Sequence, residues 1–314
     1  MPLFRALLLF ACLIPAALPT QAAETVNKTP PVSVITSIKP LQLIAAAITD
    51  GISEPGLLLD PGLSPHSYSM KPSDIRRLTD TSVVFWLGPE LETFLEKPLE
   101  QVAANNTSGQ RIVALMGAPG MHLREWSGEE HHHDHHDDHD NHGSVDSHVW
   151  LSPGNAIAMG KAMTDTLAAI DPQNTPRYRE NLTSFIDQVK ATDLANNESL
   201  ASVRQHGFFV FHDAWGYFAD HYRLTVKDVF ALSPDRQPGA RHLMKLKDSL
   251  KRAGHTCIFR EPQFKPAYID RLTEGLDVGE AVLDPMAGNI PVSANGYPAY
   301  LRQVGNTITE CLSE

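Results

Sequence analysis

The chain has 314 residues, of which 42% are hydrophobic and 20% are charged, and its formal net charge is −11 at pH 7. This length is enough for two domains of ordinary size, each with a buried core. The acidic balance argues against a nucleic-acid partner and suits a cationic ligand.

The first 23 residues predict a secretory signal that is removed from the mature protein. Arg5 precedes an apolar run over residues 6–18, which is too short and too poorly flanked to span a membrane. Residues 20–22 suit signal peptidase, with cleavage directly after them or one residue later. The alternatives are a retained membrane anchor and a lipoprotein that uses Cys12, which lies too early in the chain for that role.

Eight short apolar runs, rich in β-branched and aromatic residues, end in turn residues and predict strands. Amphipathic stretches of helical length lie between them, so parallel βαβ units are expected. Half of the runs precede residue 119 and half follow residue 205, which predicts two α/β lobes over residues 24–175 and 205–314. The predicted strands are Val32–Thr36, Leu57–Asp60, Val83–Leu87, Ile112–Leu115, Phe208–Phe211, Val226–Phe230, Cys257–Arg260 and Ala281–Leu283.

A polar segment and two predicted helices follow the fourth predicted strand. Residues 119–145 have almost no apolar content, so this segment is expected to be disordered without a ligand. Ser152 and Pro153 offer an N-cap and a first-turn proline for a helix that ends near Ile170. A second helix over residues 176–204 would reach about 40 Å. It predicts a rigid strut between the lobes, and the alternative is an ordinary packing helix.

Removal of the signal leaves two cysteines, Cys257 and Cys311. A cysteine pair in an exported protein usually forms a disulfide, because the compartment outside the cytoplasm is oxidising. The sequence therefore predicts a disulfide between Cys257 and Cys311, and the alternative is two buried thiols.

Three isolated histidines and one aspartate lie where ligands gather in α/β proteins. His66 is on a loop rich in proline and glycine after the second predicted strand, and His212 directly follows the apolar run Phe208–Phe211. His148 is on a tight connection, whose apolar neighbours would fix its backbone. Asp284 follows the last predicted strand. Because open α/β sheets bind ligands outside the carboxyl ends of their strands, these side chains are candidates for one site.

Three neutral imidazoles and one oxygen donor match the ligands that tetrahedral zinc prefers. The sequence has no HExxH or CxxC motif, so the whole fold would have to assemble such a site from distant loops. Taken alone, each histidine has the alternative of being an ordinary buried or surface residue. Histidines and a water also describe a catalytic zinc site, so a secreted zinc hydrolase is an alternative function. An extracellular metal-dependent adhesin is another, although no lipobox or wall anchor is present.

The segments that carry these histidines and their neighbours read PHSYSMKPSD, DSHVWLSP, FHDAWGYF and EPQF. In this order and combination they resemble the metal-specific substrate-binding proteins of bacterial ABC importers, over nearly the whole mature chain. The histidine- and aspartate-rich insertion narrows the resemblance to the periplasmic zinc-binding members. The resemblance implies α/β lobes joined by one long helix, with the metal between them, and capture without catalysis.

The resemblance also implies the ligands and the partners. His66, His148 and His212 match the family's histidine ligands, and the cysteine pair matches a disulfide that ties down the second lobe. The expected cargo is Zn2+, captured in the periplasm by a monomer and passed to an inner-membrane ABC permease with its cytoplasmic ATPase. Histidine at the third position favours zinc, because manganese-binding members tend to have a glutamate there.

The chain departs from some close relatives at the fourth ligand. Those relatives place a glutamate directly before the first histidine, where this chain has Pro65. The fourth donor is then expected to be Asp284, a water or a histidine of the loop. Asp146, Asp213 and Glu261 are candidates for holding the ligand rings in place.

Residues 131–142 read HHHDHHDDHDNH. Holding an ion in one fixed geometry would cost such a loop ordering entropy, so it should bind zinc more weakly than the cleft does. We expect an auxiliary loop that collects or senses zinc near the mouth of the cleft, and the alternative is a solvated linker. Its histidines are His131, His132, His133, His135, His136, His139 and His142.

Overall fold

The computed structural model describes residues 32–106, 109–125, 145–231, 238–264 and 267–313. The predicted signal segment and the histidine-rich residues 131–142 lie outside these ranges. Among the residues that are described, no helix is both long and apolar enough to pass through a lipid bilayer.

The first lobe contains a parallel sheet with the strand order β2-β1-β3-β4. Its strands and helices are β1 (Val34–Thr36), α1 (Lys39–Ile48), β2 (Gly56–Leu57), α2 (Pro72–Thr79), β3 (Val83–Trp86), α3 (Thr93–Ala104) and β4 (Arg111–Ala114). Both central strands are buried on both faces, as the uninterrupted apolar runs in the sequence predict.

Two long helices follow the first lobe. They are α4 (Pro153–Ile170) and α5 (Thr175–Leu200). Ser152 caps α4 by accepting a hydrogen bond from the backbone N of Asn155 at 3.3 Å, as the Ser-Pro pair predicts. Helix α5 ends four residues before the predicted end at residue 204, because the chain turns over residues 201–205.

The second lobe repeats the architecture of the first, with the strand order β6-β5-β7-β8. Its elements are β5 (Gly207–His212), α6 (Gly216–Tyr222), β6 (Thr225–Ala231), α7 (Ala240–Arg252), β7 (Cys257–Arg260), α8 (Ala267–Thr273), β8 (Gly279–Val282) and α9 (Gly296–Ser313). All strands of both sheets pair in parallel, so the predicted fold class is confirmed.

The alternation of side chains along the strands divides the core into layers. On β3, Val83 and Phe85 belong to one large apolar cluster, whereas Val84 and Trp86 face α2 and α3. On β5 the same alternation places Phe208 in the large cluster and Phe209 in a cluster against α7 and α8. The large cluster contains residues of both sheets, so the two lobes share one continuous core.

Helix α5 joins the two lobes through polar contacts as well as through apolar packing. Its Asn181 donates to the backbone O of Ile48 at the end of α1 (2.9 Å), and its Asn196 donates to the O of Leu301 in α9 (2.8 Å). A Cβ on Gly305 would lie 2.5 Å from Oδ1 of Asn196, so glycine allows α9 to approach α5 closely. The predicted strut is therefore also a packing helix.

The predicted disulfide is confirmed within the second lobe. Cys257 of β7 and Cys311 of α9 are bonded with an S–S distance of 2.07 Å and a Cα–Cα distance of 6.2 Å. Both residues are buried, so the bond fastens the C-terminal helix to the sheet.

Candidate metal centre

His66 lies on the loop between β2 and α2, and hydrogen bonds at the end of that loop hold its backbone. The Asp74 carboxylate in α2 accepts from the hydroxyl of Tyr68 at 2.7 Å and from the backbone N of Lys71 at 2.8 Å. The backbone N of His66 donates to Oγ of Ser64 at 3.3 Å. Among the described residues no group forms a hydrogen bond with the His66 ring, which is partly buried.

His148 lies just before α4, in a segment that apolar burial holds in place. The residues that follow it, Val149, Trp150 and Leu151, are at most 1% exposed. Asp146 fixes the histidine itself, because its Oδ1 accepts from the backbone N of His148 at 3.0 Å and contacts the ring Nδ1 at 2.9 Å. The burial and the carboxylate together fix both the position and the orientation of this imidazole.

His212 is the last residue of β5 rather than the residue after it, since it still pairs with Ala231 of β6. Oε1 of Glu261, which directly follows β7, contacts Nδ1 of His212 at 2.6 Å. Parallel strands bring their carboxyl ends to one edge, so Glu261 reaches His212 across adjacent strands.

The structure brings His66, His148 and His212 together, with nitrogen atoms that all lie within 4.8 Å of one another. The Nε2 atoms of His148 and His212 are 3.2 Å apart. Ligand nitrogens around a tetrahedral zinc, with Zn–N bonds of about 2.0–2.1 Å, lie about 3.3 Å apart. The pair from the two lobes is therefore already at the spacing that zinc requires.

The ring contacts determine which nitrogens face the centre. The Nδ1 atoms of His148 and His212 each contact a carboxylate, so the Nε2 atoms of both rings face the centre. These two Nε2 atoms lie within hydrogen-bond distance of each other, and a cation between them would take both as ligands. Burial lowers the pKa of His66 to about 2, with smaller contributions from His148 and His212. The His66 imidazole is therefore neutral at physiological pH, which is the form that binds metal.

The three histidines line a small cavity with room for about one ion or water molecule. Two buried acceptors, Oε2 of Glu261 and Oε1 of Gln263, lack a hydrogen-bond partner among the described residues. Both of these residues line the cavity. The other lining residues are Ser64, Pro65, Trp150, Phe264, Pro285 and Met286.

Asp284 is not part of the cluster of three histidines, and its role as a ligand stays a prediction. Its Oδ1 accepts from Nε2 of Gln263 at 2.8 Å and from the backbone N of Met286 at 2.9 Å. Its Oδ2 accepts from the backbone N of Gly288 at 2.6 Å. The carboxylate closes the turn that follows β8, so both of its oxygens are already in use.

The other sequence candidates have different outcomes. Asp146 and Glu261 do hold ligand rings, whereas no hydrogen bond joins Asp213 to a histidine within the described ranges. Burial, followed by the charge of Asp146, raises the pKa of Asp213. The predicted auxiliary histidines at 131–142 lie outside the described residues.

Sequence reasoning missed the contacts of two polar residues at the lobe interface, although one of them, Gln263, lies in the segment EPQF. Gln263 of the second lobe donates to the backbone O of Pro61, on the loop that carries His66, at 2.9 Å. Arg124 of the first lobe pairs with Asp220 of α6 at 2.7 Å. Such long-range pairs follow no periodicity, so only the folded chain reveals them.

Comparisons with known proteins agree on one family. The family model for ZnuA, the periplasmic component A of the zinc-uptake complex, matches residues 34–311. A Yersinia pestis protein named high-affinity zinc uptake system protein ZnuA is 39% identical, over 89% of this chain and 91% of its own length. Proteins of the same name from Haemophilus ducreyi and Brucella suis biovar 1 are 34% and 32% identical; each alignment covers 90% of this chain, and 93% and 92% of the respective relative.

Solved structures show the same fold. A crystal structure of ZnuA has a TM-score of 0.73 at 23% identity and covers 88% of this chain and 99% of its own. The periplasmic zinc binding protein TroA from Treponema pallidum has a TM-score of 0.74 at 19% identity, over 90% of this chain and 99% of its own. At these identities the likeness concerns the fold alone.

Proposed function

The chain belongs to the ZnuA family of periplasmic zinc-uptake components, and we propose that it captures zinc in the periplasm and delivers it to an inner-membrane ABC permease. Zinc is the cargo, and His66, His148 and His212 are its ligands. One observation carries this proposal: histidines of both lobes converge, with two Nε2 atoms 3.2 Å apart and each of those rings held by a carboxylate.

The donor set favours zinc over harder cations. Imidazole nitrogen suits zinc, whereas manganese is bound more often through carboxylate oxygens and water. A water takes the fourth position, since Glu261 and Gln263 line the cavity and each has a buried oxygen, Oε2 and Oε1, without a hydrogen-bond partner among the described residues. A zinc-bound water has one hydrogen to donate to each of them.

The protein acts by binding and release rather than by catalysis. The chain belongs to a family of uptake components, and Glu261, the carboxylate among the residues that line the cavity, contacts the His212 ring through its Oε1. Delivery then depends on a partner, because a permease and its ATPase supply the energy for transport. We assign the histidines of residues 131–142 to weaker, auxiliary zinc binding, and the protein to a monomeric state.

Zinc stoichiometry and affinity, measured by competition with a chelator, test the assignment. The background is a variant lacking residues 129–142, which we expect to retain one tight zinc and to lose the weaker ions. In that background His66→Ala combined with His148→Ala should weaken zinc binding by at least about a hundredfold, since each ligand supplies roughly a quarter of the binding free energy.

His221→Ala is the matched control. This histidine also contacts a carboxylate, with its Nε2 2.7 Å from Oδ1 of Asp193, but it lies outside the cluster. The control should bind zinc like the parent protein. Tight zinc binding by the double variant would refute the ligand assignment, and loss of tight binding on loop deletion alone would move the primary site to the loop.

A further inference from the structure

Arg124 lies at the junction of the two lobes and contacts a carboxylate on each side. Its Nη1 is 3.3 Å from Oδ2 of Asp146, and its Nε is 2.7 Å from Oδ2 of Asp220 in α6. The Arg124 side chain is only 19% exposed, so solvent screens these pairs less than it screens ordinary surface ion pairs.

The backbone around Arg124 closes a ring of hydrogen bonds with the same partners. The N of Arg124 donates to the hydroxyl of Tyr217 at 2.8 Å, and that hydroxyl donates to the O of Asp146 at 2.9 Å. The N of Asp146 donates to the O of Arg124 at 2.9 Å. Arg124 is therefore held in one place relative to both Asp146 and α6.

Asp146 connects this ring to the metal centre. Its Oδ1 holds the ring and the backbone of His148, and its Oδ2 faces the Arg124 guanidinium. The Asp146 side chain is completely buried. A buried carboxylate is costly unless other groups pair with it, and the Arg124 guanidinium contacts this one.

The sequence leaves space for this arginine at the start of α6. A Cβ on Gly216 would lie 2.5 Å from Nη1 of Arg124 and 2.6 Å from its Cζ. Any other residue at position 216 would displace the guanidinium from its place between the two carboxylates. Glycine is otherwise unfavourable within a helix, so its presence agrees with a need for this contact.

We propose that Arg124 is a positioning residue for metal binding: it holds Asp146 in the orientation that aims His148 at the metal, and it fastens this unit to α6 of the second lobe. The inference rests on the proposed function, since it assigns to Arg124 a part in holding the same zinc. Replacing Arg124 leaves the three histidine ligands unchanged, but it frees the segment that carries His148 to move. The main effect should be faster release of the ion.

The test uses the full chain and compares Arg124→Ala with Arg177→Ala. Arg177 is a matched control because it also pairs with two carboxylates, Asp50 at 3.5 Å and Glu180 at 3.0 Å, but belongs to α5. Zinc affinity comes from chelator competition, and zinc release is followed by stopped-flow mixing with excess chelator. The visible absorption of bound Co2+ reports the ligand geometry, which a purely structural role would leave unchanged.

We expect Arg124→Ala to weaken zinc binding by about tenfold, the lower end of the loss when an outer partner of a ligand is removed. Release should accelerate by a similar factor, and the Co2+ spectrum should change. Arg124→Lys should recover part of the affinity, because lysine retains the positive charge but lacks the planar guanidinium that contacts Asp146 and Asp220 together. Arg177→Ala should match the unsubstituted protein.

Gly216→Ala is a second variant, which retains the arginine and displaces it. It should weaken zinc binding in the same direction even if Arg124→Ala folds poorly. Unchanged affinity and an unchanged Co2+ spectrum in both variants would overturn the inference, as would an equal loss in Arg177→Ala. Failure of the unsubstituted protein to bind zinc would contradict the proposed function. That outcome differs from a failure of the Arg124 inference, in which the unsubstituted protein binds zinc and the variants bind it equally well.

Discussion

The two sheets share one strand order, yet their carboxyl ends carry different chemistry. In the second lobe His212 ends β5, and Glu261 after the neighbouring β7 contacts its ring at 2.6 Å. In the first lobe β1 and β3 occupy the corresponding places in the sheet. Ser37 follows β1, and a turn closed by Glu92 follows β3, where Oε2 of Glu92 accepts from the N of Leu87 at 2.7 Å.

Each lobe therefore has a buried carboxyl at the carboxyl edge of its sheet. Of the two, Glu261 contacts an imidazole and Glu92 does not, within the described ranges. Burial raises the pKa of Glu92 to about 7, and the Ser37 hydroxyl and the amides of Leu87 and Gly88 lower it by less. In the first lobe the acid closes a turn, and the histidine that joins the cluster, His66, lies instead on the loop after β2. The shared frame thus supplies the position of a buried carboxyl, and the neighbouring side chain decides whether that carboxyl contacts an imidazole.

The largest expected difference between the lobes concerns the disulfide, which only the second lobe has among the described residues. Replacing Cys257 and Cys311 with alanine opens a loop that spans 54 residues. The free energy of unfolding should fall by about 4 kcal/mol, because the unfolded chain regains the entropy of that loop. Urea unfolding of the metal-free protein, with hydrogen exchange resolved by segment, measures the loss and locates it.

The hydrogen-exchange result decides whether the lobes unfold separately. We expect amides of β7, β8 and α9 to lose protection, while those of β1 and β3 retain most of theirs. Wild-type protein with its disulfide reduced serves as the control for the substitutions. Equal loss of protection in both sheets would mean that the shared core makes the two lobes one cooperative unit.

The sequence predicted most of the strands because these sheets are buried on both faces. Runs such as Phe208–Phe211 are apolar throughout, which leaves little ambiguity about their burial. The edge strand β2 was predicted at Leu57–Asp60 and lies at Gly56–Leu57. The amides of Leu58 and Leu59 still donate to the backbone O of Thr36 and Ser37, so an apolar run does not show at which residue a strand ends.

The site was predicted less completely than the fold, for a different physical reason. The role of Asp284 stays a prediction, because an aspartate that closes a turn and one that binds a metal look the same after a strand. Arg124 and Tyr217 were missed because their partners lie 22 to 96 positions away and follow no repeating spacing. Long-range polar pairing is determined by packing, which a single sequence does not display.

The raised pKa of Glu92 should make the stability of the protein depend on pH. In the unfolded chain a glutamate loses its proton near pH 4.5, whereas folded Glu92 retains it to about pH 7. The folded state therefore binds more protons between these values, and stability falls as pH rises through that window. From pH 5 to pH 8 the contribution of Glu92 should decrease by about 2 kcal/mol.

Glu92→Gln removes this titration and retains an oxygen acceptor for the amide of Leu87. Denaturant unfolding of the metal-free proteins at pH 5, 6, 7 and 8 should give a wild-type minus variant difference that becomes more negative as pH rises, and then levels off above pH 7. A difference that does not vary with pH would show that Glu92 is charged throughout, and the contrast between the lobes would lose its electrostatic basis.

The smallest expected effect comes from one substitution, Glu→Gln, made at corresponding positions of the two lobes. It is the sharpest test because the chemical change is the same in both variants. Glu261→Gln retains an acceptor for Nδ1 of His212 but removes the negative charge behind the ligand, so zinc binding should weaken by about tenfold. Glu92→Gln makes the same substitution at the corresponding edge of the first sheet, where no ligand ring is in contact, and should change zinc affinity by less than about twofold. Chelator competition on the two variants side by side gives the comparison. If both weaken zinc binding equally, the affinity depends on the net charge of the protein rather than on the carboxylate that contacts the imidazole.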